Sequence, residues 1–402
     1  MVRLLVVAPT CDGEDVGESW VAFQWVRRLA EQHDVTVLTY AKRGRTPLSR
    51  QIPHLRVVEW HEPPLLGRAE RLNSLLKPGY LPFYVSARRW TRAALGQGRR
   101  FDLGHQIAPV AMRYPSPLVG LGLPFVMGPV GGSLETPAGF EADDDTSPWY
   151  LRLRRLDGWR LAHDPLLRRT YEDAACVLGI ADYARVLLKG LNLRDFRVMS
   201  ETGIDHVPER ASRDAHGGPL RMLFVGRVVR TKGVRDVVRA IGLLPRGTAT
   251  LDVVGDGFDE SACIRLAHDT GVLGIVTFHG RVDRERVDDF YRRADAFVFP
   301  SYREPGGNAP LEAMSFGLPL IVADRGGPAS AVDDNCGIRI SPTTPEEYAR
   351  RIAEAIVRLS QDRVGRERMG TAARGRVESL YLWDRKIEQV GCLYDELIAR
   401  RS

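Results

Sequence analysis

The sequence predicts an α/β protein built on two doubly wound parallel sheets, and three observations carry that prediction. Short apolar runs rich in Val, Ile, Leu and Phe recur along the 402-residue chain without polar alternation, as strands buried on both faces require. Longer amphipathic segments separate them, giving repeated strand–helix–strand order. The pattern breaks once, at Glu209–Pro219, a polar stretch that ends in Gly-Gly-Pro and reads as a linker.

In chain order, the first half offers strands at Leu4–Val7, Val35–Leu38, Phe125–Met127 and Cys176–Ala181, with Glu18–Gln32 as its clearest helix. The second half offers strands at Met222–Val225, Leu251–Val254, Val276–Phe278, Ala296–Phe299 and Leu318–Ala323. Helices are expected between them at Gly233–Leu244, Ser261–Thr270 and Arg284–Arg293. The division is therefore a Rossmann-like domain over 1–208, a linker over 209–219 and a second Rossmann-like domain over 220–380.

Composition excludes several classes. With 44% hydrophobic and 27% charged residues the chain is globular rather than disordered. Its 5 cysteines are scattered and form no Cys-x-x-Cys pair, which excludes a disulfide framework and a cysteine zinc knuckle and fits a reducing compartment. The opening apolar run is too short for a signal-peptide core, and nothing approaches a membrane-spanning length. The expected location is the cytoplasm. The net charge of +6 is carried by arginine, since the lysines are only Lys42, Lys77, Lys189, Lys232 and Lys386.

Three segments carry chemistry. Val225-Gly226-Arg227 ends a strand, and Lys232-Gly233 opens a helix. Strand ends and helix amino termini are where open α/β sheets hold anions, and a guanidinium with an ammonium suits a diphosphate. Two surface cations near a turn is the plainer alternative. Val254-Gly-Asp-Gly257 follows a strand, but Glu260 stands where a dinucleotide fingerprint needs its third glycine, so NAD is disfavoured and a capping turn reads equally well. The most informative segment runs from Phe299 to Pro319: a strand enters a Gly-rich loop holding Glu304, Gly306 and Gly307, and a helix opens near Asn308 with Glu312 in its first turns. Amides at Gly307, Asn308 and Ala309 can face a phosphate, and Glu312 can accept from a ribose diol beside it. Asp143-Asp-Asp145 reads as a solvated acidic loop, and no metal site is expected.

Taken in order, Gly226-Arg227 with Lys232-Gly233, Val254-Gly-Asp-Gly257, Val276-x-Phe-x-Gly280, Glu304-x7-Glu312-Ala-Met, Leu318-Pro and Gly326-Gly327 resemble glycosyltransferase family 4. The resemblance implies the GT-B fold: two Rossmann-like domains with parallel sheets facing across a cleft, and a last helix, here over 381–402 with Tyr381-x-Trp383, crossing back to the first domain. It implies a retaining transfer of a hexosyl-type group from a nucleotide-diphosphate sugar, UDP- or GDP-type, to a hydroxyl acceptor, with no cofactor or metal and with front-face displacement. Residue by residue it assigns Arg227 and Lys232 to the diphosphate and Glu304 to the donor sugar. Gly226, Gly306, Gly307, Asn308 and Ala309 fall around the phosphates and sugar, Glu312 at the ribose, and Arg281 and Val282 at the nucleobase.

In the first half the likeness is thinner. Gly17, after Val16, opens a helix and is assigned to the donor; Gly131, Gly132 and Ser133, after Gly128-Pro-Val, resemble an acceptor-side loop. His105 is placed in the catalytic set, with a hydrogen-bonded strand-end histidine as the alternative, because Ile107 stands where the family's pattern has a second histidine. A noncatalytic GT-B regulator and a pseudo-glycosidic coupling enzyme are the alternative functions. Two arginine-rich segments, Arg68–Arg100 and Trp149–Arg169, add a further expectation: peripheral contact with the inner membrane face, against solvated helix faces as the plainer reading. Nucleic acid is not expected, since no recognition motif accompanies the charge.

Overall fold

The computed structural model describes residues 1–41, 44–62, 79–132, 134–141, 156–209 and 217–400. The chain forms two compact units: Met1–Ser133, Arg152–Glu201 and Lys386–Ser402 make the first, Leu134–Leu151 and Thr202–Arg385 the second.

The first unit carries a seven-stranded parallel sheet in the order β3-β2-β1-β4-β5-β6-β7. Its strands are β1 (Arg3–Val7), β2 (Asp34–Ala41), β3 (Arg56–His61), β4 (Leu103–Gln106), β5 (Phe125–Val130), β6 (Cys176–Gly179) and β7 (Phe196–Val198). Interior strands β4, β5 and β6 are buried at every position; β5 and β6 read as apolar runs, whereas β4, Leu-Gly-His-Gln, carries too little apolar signal to read as one. The edge strands β3 and β7 are half-exposed and mixed in polarity, so a search for apolar runs passes over them; a strand with one open edge has less to bury. One face of the sheet packs Leu5, Val7, Leu38 and Met127 against Phe83, Leu167 and Tyr171.

The second unit carries six parallel strands in the order β10-β9-β8-β11-β12-β13: β8 (Leu220–Val225), β9 (Ala249–Val254), β10 (Val276–Phe278), β11 (Ala296–Phe299), β12 (Leu320–Ala323) and β13 (Gly337–Ile340). The expected run at Leu318 begins two residues later, after Pro319. The edge strand β13, Gly-Ile-Arg-Ile, was again not evident as an apolar run.

In both sheets the order reverses once, between β1 and β4 and between β8 and β11. Ligands of open α/β sheets bind at such a reversal, outside the carboxyl ends of the strands. Each unit therefore has one topologically favoured crevice, and the two are filled very differently.

The units divide the chain between Glu201 and Thr202 rather than at 208. Ile204 pairs with Leu382 in an isolated bridge, and Gly203 lies against Trp383, which ties this segment to the second unit. Phe140 likewise leaves the first half of the chain: it is fully buried against Tyr302 and Tyr348. The last helix, Trp383–Ala399, belongs to the first unit from Lys386 onward. Most of the expected linker, 210–216, lies outside the described residues, as do Ser133 and Asp143–Asp145.

Candidate functional site

In the second unit the reversal point lies between the turn after β8 and the loop after β11. The first supplies Gly226, Arg227, Lys232 and Gly233; the second supplies Glu304, Gly306 and Gly307. Lys232 Nζ donates to Glu304 Oε2 across the crevice, each side chain 14% exposed, and Lys232 also lies 5.1 Å over the Phe299 ring. Burial first, and the neighbouring Arg227 charge second, push the Lys232 ammonium down to about 7, whereas an opposite charge in contact favours the charged form. Arg227 is exposed. A cation drawn out of water and kept beside a second cation is poised to gain from an incoming anion.

The loop after β11 is held from behind. Gly327 N donates to Glu304 O at 3.0 Å. A Cβ on Gly326 would overlap the Glu304 carbonyl oxygen, and one on Gly327 would overlap that of Gly306. The paired glycines therefore act by letting the helix Gly326–Ala331 press against the loop that aims Glu304. Gly307 begins the helix Asn308–Ser315, and among the described residues no protein group accepts from the amides of Gly307, Asn308 and Ala309. Gly307 lies against the Glu304 side chain that Lys232 holds.

Glu312 lies on that helix, 20% exposed. Its Oε1 accepts from Arg284 Nη2 at 3.1 Å and its Oε2 from the Tyr291 hydroxyl at 3.2 Å. Gly255 N donates to Gly280 O at 2.8 Å, so the Gly255-Asp-Gly257 turn is stitched to the end of β10, where exposed Arg281 and half-buried Val282 follow. The sequence offers this turn as a weak dinucleotide fingerprint or as a cap; in the structure it is bonded to the end of β10. Arg230, by contrast, is fully buried and paired with Asp236 at 2.7 and 3.1 Å, between Phe140 and Tyr302; it fixes the turn rather than facing solvent.

The first unit holds the remaining expected residues. His105 is the next-to-last residue of β4, with its ring entirely buried: Nδ1 is 2.5 Å from the Tyr394 hydroxyl and Nε2 is 2.6 Å from Gly128 O. Burial lowers its pKa to about 4, so the ring is neutral and both nitrogens are taken. These contacts are those of the alternative reading, a hydrogen-bonded histidine, and the ring joins β4, β5 and the last helix. Gly131 donates its amide to Val110 O at 2.8 Å and Gly132 O accepts from the Tyr183 hydroxyl at 3.3 Å, so this pair is part of the sheet's carboxyl edge. Gly17 begins the helix Glu18–Gln32. It belongs to a different unit from the other residues assigned to the donor.

Sequence reasoning missed two interacting titratable groups in this unit, Glu201 and Lys386. Glu201 is pushed up to about 7 by burial and then by Glu18. Lys386 is pushed down to about 7 by burial, against the pull of Glu201, with Nζ donating to Ser200 O and lying 4.9 Å over the Trp25 ring. It also missed Tyr291 and Arg284 beside Glu312; spacing along the chain gave no signal for either. Among the described residues, no group of three His, Cys, Asp or Glu could hold a metal ion, and no helix is long and apolar enough to cross a membrane.

Comparison with known proteins accords with this geometry. Residues 208–376 match the family model Glycosyl transferases group 1, a span that contains every residue of the Lys232–Glu304 crevice. Among curated relatives, glycogen synthase of Mycobacterium tuberculosis is 34% identical over 177 residues, covering 43% of this chain and 42% of that protein. A D-inositol 3-phosphate glycosyltransferase of Streptomyces griseus is 31% identical over 248 residues, 56% of this chain and 52% of its own. The chain thus spans about half the length of the curated relatives it matches. Among solved structures, sucrose-phosphate synthase from Thermosynechococcus elongatus has a TM-score of 0.65 at 21% identity over 99% of both chains. Anabaena HepE in complex with UDP and glucose has a TM-score of 0.61 at 16% identity, covering 98% of this chain and 100% of its own. These likenesses show the fold. It is GT-B.

Proposed function

We propose that the protein is a glycosyltransferase that takes a sugar from a nucleotide-diphosphate donor, UDP- or GDP-type, and retains anomeric configuration. The observation that carries this reading is the Lys232–Glu304 pair across the β8–β11 crevice, with Arg227, free helix amides and Glu312 around it, all inside the segment matched by the family model. The diphosphate takes Lys232 and Arg227, and the amides of Gly307, Asn308 and Ala309 hold its oxygens. Glu304, released from Lys232, accepts from a sugar hydroxyl, and Glu312 accepts from the ribose. The bond from the anomeric carbon to the phosphate oxygen breaks, and the acceptor oxygen bonds the same face of that carbon. The acceptor's proton passes to the departing diphosphate, which Lys232 and Arg227 stabilise without a metal or cofactor.

Thermal shift against UDP-, GDP-, ADP- and dTDP-sugars, followed by nucleotide release from the stabilising donor, tests the reading. A bound donor raises the midpoint in proportion to its affinity. No stabilisation by any of them would sink it, and binding without release across an acceptor panel would replace it with a noncatalytic GT-B protein.

Acceptor and location are part of the same proposal: a cytoplasmic enzyme that meets an anionic membrane surface through the helix Tyr80–Gly96. Leu81 and Val85 are exposed on it (69% and 45%), and exposed Arg89, Arg92, Arg99 and Arg100 have no ion-pair partner among the described residues. The second arginine-rich segment differs, since Arg160, Arg168 and Arg169 pair with Asp164, Glu172 and Asp173. Cosedimentation with phosphatidylglycerol vesicles, but not phosphatidylcholine ones, is the expected result; equal recovery with both would remove the membrane from the reading.

A further inference from the structure

The Glu312 carboxylate is held by two donors of different character, both on the helix Arg284–Arg293. Arg284 is 86% exposed, so its ion pair is screened and loosely fixed. Tyr291 is 1% exposed, stacked 5.1 Å from Phe316 with planes 17° apart and 5.9 Å from Phe297. A ring clamped on two sides gives its hydroxyl one position, and burial beside the carboxylate keeps that hydroxyl protonated. An ionised carboxylate offers about four lone pairs. Arg284 and Tyr291 use one on each oxygen, which leaves one on each oxygen for two adjacent donors, the pattern of a vicinal diol.

We infer that Tyr291 is a positioning residue: its hydroxyl fixes the Glu312 carboxylate so that the free lone pairs meet the 2′- and 3′-hydroxyls of the donor's ribose, and this sets a preference for ribonucleotides over 2′-deoxyribonucleotides. The inference rests on the proposed nucleotide-sugar function and adds to it the residue that makes the ribose contact selective. A site built around a hydroxyl rejects the analogue lacking it, because the site's own acceptor is left unpaired.

The test is calorimetric titration of the full-length chain with UDP, GDP and ADP, each beside its 2′-deoxy counterpart. The wild type is expected to bind its preferred ribonucleotide at least about tenfold tighter than the deoxy form. In Tyr291→Phe the ring stack and thermal midpoint are kept, and that ratio falls to about threefold or less through weaker ribonucleotide binding. In a transfer assay the same variant raises the donor KM and leaves kcat near the wild-type value, which a merely structural defect would not do. Glu312→Gln separates the two levels of the argument. If it collapses the ratio while Tyr291→Phe keeps the wild-type ratio, the positioning role is overturned and the ribose contact stands. If neither variant changes the ratio, the ribose assignment falls with the inference and the proposed function stands; if the wild type binds no nucleotide, the proposed function falls as well.

Discussion

The two reversal points, β8–β11 and β1–β4, have the same topology and opposite polar chemistry. At β8–β11 Lys232 and Glu304, each 14% exposed, hold one another, Arg227 beside them is exposed, and the amides of Gly307, Asn308 and Ala309 have no acceptor among the described residues. At β1–β4 both His105 nitrogens are bonded and Glu18 Oε1 accepts from Val110 N at 2.8 Å, and the oxygens without a partner there, Gln106 Oε1 and Asp12 Oδ2, are buried. A Rossmann-like sheet thus provides a place for a ligand without deciding that one is bound. What decides it is whether the groups at the reversal are left with free donors and acceptors.

Substitutions should separate the two regions. The largest effect is expected at the open one: Lys232→Ala should lower turnover about 100- to 1,000-fold, the scale for removing a preorganised donor from a developing anion. A loss under tenfold in a steady-state assay would mean that the diphosphate is stabilised elsewhere.

At the closed reversal the effect should be on stability and pH. The native His105 ring has a pKa of about 4 against 6.5 for the free side chain. Between those values the unfolded chain binds more protons, so this residue's contribution is full above about 6.5 and is lost as pH falls, by about 1.4 kcal/mol per unit. Glu201 opposes it: its folded pKa is raised, so its contribution is present at low pH and lost as pH rises toward 7. The readout is therefore the difference between wild type and His105→Gln in urea unfolding at pH 7 and pH 5. The wild type should lose about 2 kcal/mol more than the variant across that interval. Equal losses would mean that the ring is not held neutral. The smallest effect sharpens the site itself: Arg284→Ala should change donor affinity by about twofold or less, because an ion pair with so exposed a guanidinium contributes little.

The second sheet and its crevice were the more legible in sequence. Its interior strands are continuous apolar runs, and Gly226, Lys232, Glu304 and Glu312 sit at strand ends or helix starts that local signals mark. The edge strands β3, β7 and β13 were not legible, since a half-exposed strand carries little apolar signal. Tyr291 was not legible either: nothing local distinguishes a core tyrosine from one whose hydroxyl reaches a carboxylate 21 residues away. The two readings of His105 could not be separated for the converse reason, because a histidine near a strand end looks the same whether its ring meets a substrate or the Tyr394 hydroxyl 289 residues on.

The sequence by itself determined the α/β class, the pair of parallel sheets and the segments that reach the β8–β11 crevice, because apolar periodicity and glycine placement are local properties of the chain. Only the tertiary structure decided which of the titratable groups at the strand ends are free to act. That depends on burial and on hydrogen-bond partners far apart in sequence: Lys232 with Glu304, Tyr291 with Glu312, His105 with Tyr394. Residue spacing does not encode such pairings, and the packing of the helices over each sheet does.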